Sequence, residues 1–172
     1  MNYNLHPIFV HFPIAFLFVY SLVIILPLRK WAPSVAWKDM RRAFLAIGLL
    51  GAFVALATGD TAEHLTHYNR QIIEIHSDFA AIATTLYGLL IAGEIAALFN
   101  EHSARFSDKW ELVKSLSTFL EKLLGNRKVV IFLATLALIA IIVTGILGGA
   151  IVYGATADPL APYILKLFGI TI

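Results

Sequence analysis

Apolar residues run along this chain in four long stretches, 8–28, 44–58, 79–99 and 129–152, with polar segments between them. About 20 consecutive apolar residues cross the hydrocarbon core of a bilayer, and three of the four reach that length. The second is short by this measure. Its pattern predicts a helix that carries on past Thr58 through Asp60, Glu63 and His64, out of lipid and into a polar cap. Four such helices predict an all-α fold, a four-helix transmembrane bundle with antiparallel neighbours. It forms one domain over residues 1–172, with spans near 8–28, 43–60, 79–99 and 129–152.

Two segments fall outside these spans. Trp110, Val113, Leu116, Leu120, Leu123 and Leu124 recur at helical spacing, with Glu111, Lys114, Glu121 and Lys122 between them. That pattern predicts an amphipathic helix lying in the headgroup plane, ended by Gly125-Asn126. After Tyr153, Asp158-Pro159 and Ala161-Pro162 interrupt any helix. The chain then turns apolar again from Tyr163 to Ile172, too briefly to span. This tail is expected to fold back on the outer surface or to pack on a partner subunit.

Composition sharpens the picture. Of 172 residues, 59% are hydrophobic and 14% charged, against nearer half and a quarter for soluble domains, and mean hydropathy is +0.81. Lipid is the expected solvent. The absence of cysteine excludes disulfides, iron–sulfur ligation and thiol catalysis within the chain. A net charge of +2, with no basic run interleaved with aromatics, gives no footing for nucleic acid. The opening residues lack the positive n-region of a cleaved signal peptide.

Charge placement sets an expected orientation. Eleven of the thirteen Lys and Arg residues fall in the two segments that join the first span to the second and the third to the fourth; Arg70 and Lys166 are the exceptions. The positive-inside rule puts both of those loops in the cytoplasm and both termini outside. In a bacterium this means an inner-membrane, multi-pass protein with periplasmic termini.

Five of the six histidines, His6, His11, His64, His67 and His76, then map to the outer end of the bundle. Ionisable groups at membrane depth are costly and usually functional, and imidazole suits haem iron and other transition metals. His6 and His11 are five residues apart, roughly 140° around a helix, so they are not expected to serve one ion together while the helix is straight. Asp60, Glu63, His64 and His67 share one helical face at i, i+3, i+4 and i+7, a metal edge or the carboxylate support that ligating imidazoles commonly take. His76 enters the third span at about the depth of His11 in the first, the arrangement a bis-histidine haem requires. Asp78 beside it suits a helix N-terminus by charge alone. His102 reads as an ordinary loop residue on the cytoplasmic side. Glu94, in the inner third of the third span, is expected to snorkel or to cap a packed polar contact. Gly48, Gly51, Gly88, Gly145, Gly148 and Gly149 let helices approach closely, and a flat macrocycle would use the same gaps. No phosphate loop, nucleophile elbow or His-Glu-x-x-His pair is present.

The segment His6-Pro7-Ile8-Phe9-Val10-His11-Phe12-Pro13-Ile14-Ala15 resembles the signature of a bacterial membrane family known as domain of unknown function 2231. Thr58-Gly59, Ala62-Glu63-His64, His76 and Gly148-Gly149-Ala150-Ile151-Val152-Tyr153-Gly154 agree with it. That family is similar to small b-type cytochromes, and some relatives are joined to Rieske or cytochrome c domains. The resemblance implies redox work at the outer surface and draws attention to His6, His11 and His76.

Together with the resemblance, these readings lead to the expectation of a membrane cytochrome subunit. It is expected to hold haem b, one or two copies, with His11 and His76 as axial ligands. His6, with His64 or His67, would ligate a second haem or support the first, and Asp60, Glu63 and Asp78 would orient imidazoles. Its partners would be the lipid bilayer, quinone and a Rieske or cytochrome c protein. Two alternatives stand beside it: a copper, zinc or iron site built from the same histidines and carboxylates, and a structural anchor for other subunits of a membrane complex.

Overall fold

A computed structural model describes residues 6–64, 69–102, 110–156 and 158–170, without the side chains of Asp60, Thr61, Glu63 and His64. Every regular element among them is helical: α1 (His6–Ile25), α2 (Leu28–Trp31), α3 (Trp37–His64), α4 (Arg70–His102), α5 (Glu111–Leu124), α6 (Arg127–Tyr153) and α7 (Ala161–Leu167). Helices α1, α3, α4 and α6 are long and apolar enough to cross a membrane. Only 22 to 33% of each one's most apolar window is buried inside the bundle. The outward faces, carrying Phe12, Leu50, Ile82 and Phe132, form an apolar surface far larger than water-soluble proteins expose. These four helices form a bundle suited to a lipid bilayer.

Helix α1 packs on α3 and α6, and α4 packs on the same two, so α1 and α4 face each other diagonally. Antiparallel α1 and α3 meet at small residues. A Cβ at Gly48 would sit 2.7 Å from Leu17 Cγ, one at Gly51 3.1 Å from Pro13 Cδ, and one at Gly59 3.4 Å from His6 Cε1. The two helices can approach this closely only because those positions carry no side chain. The central layer holds Leu17, Tyr20, Leu45 and Tyr87, each at most 1% exposed. Tyr20 and Tyr87 pack edge to face at 6.1 Å between ring centroids, a favoured aromatic geometry. The Tyr87 hydroxyl meets Ser21 Oγ at 2.8 Å and donates to the Leu17 carbonyl at 3.2 Å, so this polar pair is satisfied in the apolar core.

Two elements, α4 and α5, differ in extent or placement from the sequence reading, and the tail follows it. At 33 residues, α4 is about 50 Å long, well beyond a hydrocarbon core of about 30 Å, because its polar flanks continue the helix at both ends. Helix α5 does form, but it runs back antiparallel along the lower part of α4 instead of lying flat. Ser117 and Glu121 bond Asn100 at 2.6 Å each, and Leu124 lies where a Cβ at Gly93 would meet its own Cβ at 2.7 Å. The polar face of α5 is spent on α4, leaving Leu112, Leu116 and Phe119 exposed. The apolar tail folds back: α7 buries Leu165, and Ile170 beyond it, against Ile72 and Leu147, while Phe168 packs edge to face on Phe79.

Candidate functional site

Among the described residues, a cavity lies at each end of the bundle. The larger, about 540 Å³, opens at the end where α1 begins and is lined by His6, His11 and His76, within the size range of small-molecule and cofactor sites. Its floor is Leu17, Ala83 and Ile141 of the central layer. Its walls on α3 and α6 are mostly small: Ala52, Ala55, Gly59, Gly145, Gly148 and Gly149 among them. A Cβ at Gly145 or Gly149 would meet nothing within 4 Å, so that wall of α6 is flat and open.

The depth of the two central imidazoles follows from the core. Tyr87 of α4 contacts Ser21 and Leu17 of α1, offsets of 66 and 70 residues between helices that run in the same direction. The same offsets bring His11 level with residues 77 to 81, within about 8 Å of His76 along the bundle axis. His11 and His76 therefore stand at similar depth on diagonally opposed helices and line one cavity.

Each of the three cavity histidines is oriented through Nδ1. His11 Nδ1–H donates to the Pro7 carbonyl at 2.5 Å, and His76 Nδ1–H donates to the Thr144 carbonyl at 2.9 Å. A carbonyl can only accept, so these contacts fix the tautomer and leave the lone pair on Nε2. Among the described residues, no hydrogen bond engages Nε2 of either ring. His6 Nδ1 lies 3.1 Å from Thr58 Oγ1, which also reaches the Val54 and Ala55 carbonyls at 3.0 Å each. His76 is partly buried with Gly148 beneath it, where a Cβ would come within 3.2 Å of its Cε1, while His11 is exposed at the mouth.

Of the other candidate residues, Asp78 is exposed and does not line the cavity. The backbone of Asp60, Glu63 and His64 continues α3 as expected, their side chains and all of His67 lying outside the described residues. His102 stands in the last turn of α4, bonded to the Leu98 carbonyl, far from the site. Sequence reasoning missed Thr58 and Thr144. Their part is played partly by a backbone carbonyl, which leaves no trace in residue identity. Among the described residues no three His, Asp or Glu side chains converge as a metal ion would require.

At the opposite end, Glu94 receives Arg41 at 2.7 Å and Arg42 at 2.9 Å, and Lys38 meets Glu101 at 2.6 Å. Glu94 is thus the cap of a packed polar contact. These groups surround the second cavity, about 170 Å³.

Comparison of the chain with protein-family models, with curated proteins and with solved structures finds no match. The case for function rests on the site.

Proposed function

We propose that this chain is a membrane-embedded b-type cytochrome subunit that holds haem in the larger cavity, with Nε2 of His11 and of His76 as axial ligands. The observation that carries the reading is the diagonal pair at similar depth, both rings lining one cavity and both anchored through Nδ1. Second partners of this kind orient ligating imidazoles and raise their basicity. The donor set suits haem better than a bare ion: an ion site wants three or more protein donors, whereas a bis-histidine haem wants two on opposite helices. The flat wall of Gly145 and Gly149 suits a planar guest.

Haem iron supplies one-electron transfer when bound, at a potential set by axial ligands, hydrogen bonds and burial. The protein's contribution is to hold the two rings at fixed tautomer, to exclude water below Leu17 and Ile141, and to keep the mouth open beside His11. His6, anchored to Thr58, supports the same rim. We place this end at the periplasmic face of a bacterial inner membrane, because eleven of thirteen basic residues belong to the loops of the other end. Electrons would pass from a quinol to a periplasmic acceptor such as a Rieske or cytochrome c protein. The test is a reduced-minus-oxidised visible spectrum of the purified protein from haem-replete cells. Haem bands that vanish in His11→Ala and His76→Ala are the expected result. A folded preparation without haem bands overturns the reading, and stoichiometric metal without porphyrin would favour an ion site.

A further inference from the structure

We infer that the smaller cavity is a binding site for a neutral six-membered ring bearing carbonyl oxygens, the headgroup chemistry of an isoprenoid benzoquinone. The inference deepens the reading above by giving its electron donor a place, yet stands on separate residues.

Size is the first argument. The cavity measures about 170 Å³, and an apolar cavity of about 150 Å³ accommodates benzene. The volume matches one ring more closely than a fused pair. Charge is the second. Lys38, Arg41 and Arg42 face Glu94, Glu101 and Glu121 across the cavity, three of each sign, and Glu94 already takes both guanidinium groups. The set is balanced in net charge, so neither an anion nor a cation is favoured by the site as a whole, and a neutral guest with polar atoms suits it. Hydrogen bonding is the third. Tyr20 is 1% exposed and lines this cavity, and among the described residues its hydroxyl has no hydrogen-bond partner. Arg41 Nε and Arg42 Nη2 are also buried without a hydrogen bond, Arg42 Nη2 lying 3.8 Å from Glu101 Oε1. Buried donors without acceptors are costly, and a quinone carbonyl is an acceptor. Leu90, Ala97, Leu124 and Val130 supply the apolar remainder.

Position is the fourth argument. Leu17 lines the upper cavity and Tyr20 the lower, three residues apart on α1. On α4 the corresponding pair is Thr84 and Leu90. The two cavities are therefore separated by roughly 5 to 9 Å of helix, filled by the Tyr20–Tyr87 layer. A ring held by Tyr20 sits one aromatic layer below the histidine site.

The test titrates the full-length protein in detergent with a decyl-substituted benzoquinone, following tryptophan quenching, with the naphthoquinone counterpart as comparison. Saturable binding of the benzoquinone is expected, and weaker binding of the fused-ring compound. Tyr20→Phe keeps the ring of the side chain and removes one donor; it should weaken binding by about tenfold. Ala97→Phe fills the cavity and should abolish binding. Quenching that never saturates, or an affinity unchanged in Tyr20→Phe, overturns the assignment even where Ala97→Phe fails to fold. Haem content is read separately from the visible spectrum. Saturable quinone binding without haem would sink only the cytochrome reading, and haem without quinone binding only this one.

Discussion

The Nδ1–H of His76 on α4 donates to the carbonyl oxygen of Thr144 on α6 across 2.9 Å. This bond ties two neighbouring spans together and aims the other ring nitrogen away from α6. Its counterpart on α1 is local, from His11 to Pro7 one turn earlier. One imidazole of the pair is thus fixed by tertiary structure and the other by its own helix.

On the proposed reading, loss of either ring should remove bound haem. His11→Ala and His76→Ala should each eliminate the reduced-state bands, whereas His102→Ala, bonded only to Leu98 at the far end, should leave the spectrum unchanged. Spectra recorded on equal amounts of folded protein check this.

Gly148 sets how deeply the His76 ring can sit. A methyl group in Gly148→Ala would lie 3.2 Å from Cε1, tighter than ordinary contact, so the ring must shift. Because displacing the support of a ligating histidine typically costs 10- to 100-fold in affinity, haem retention on dilution should fall by about that factor. Gly88→Ala, outside the cavity lining and with nothing within 4 Å, should retain the ring geometry and the band positions.

Removing Glu94 leaves two guanidinium groups without their shared acceptor. Glu94→Gln should destabilise the protein by about 1.5–3 kcal/mol, the scale of charge-assisted hydrogen bonds. Lys38→Ala breaks a pair whose side chains are 49% and 44% exposed and should cost less than about 1 kcal/mol. Thermal unfolding in detergent distinguishes the two.

Two glycines of α4 should respond oppositely to alanine. Gly93→Ala puts a methyl 2.7 Å from the Leu124 Cβ, next to the backbone of α5, and should cost about 1–3 kcal/mol by overpacking. Gly88→Ala meets nothing within 4 Å and should be neutral or stabilising by up to about 1 kcal/mol through helix propensity.

The tail contributes through Leu165, which is fully buried. Leu165→Ala should destabilise by about 2–5 kcal/mol, with protease sensitivity rising first after Gly154. Unchanged stability would mean that the contact with Leu147 and Ile72 contributes little.

The spans were legible because lipid demands long apolar runs, and the similar depth of His11 and His76 because parallel helices preserve depth. The small-residue wall was visible as glycines, yet not which helix face it occupied. What stayed hidden depends on three-dimensional register. Tyr20 and Tyr87 read as ordinary apolar positions, and nothing local marks them as a layer between two cavities. The direction of α5 was misread for a related reason: its apolar face suggested a surface, while Ser117 and Asn100, two unremarkable polar residues, decide what it packs against. Thr144 acts through its backbone oxygen, for which any residue would serve.

Pro13 lies inside α1, pressed against Gly51. Lacking an N–H, it leaves the Phe9 carbonyl without its usual helical donor. The turns above it, which bear both imidazoles of this helix, are therefore one rung short, and the bond of His6 to Thr58 ties them to α3. If haem is the guest, as proposed above, that open rung is where the helix could bend to meet it while the stem below stays packed on α3.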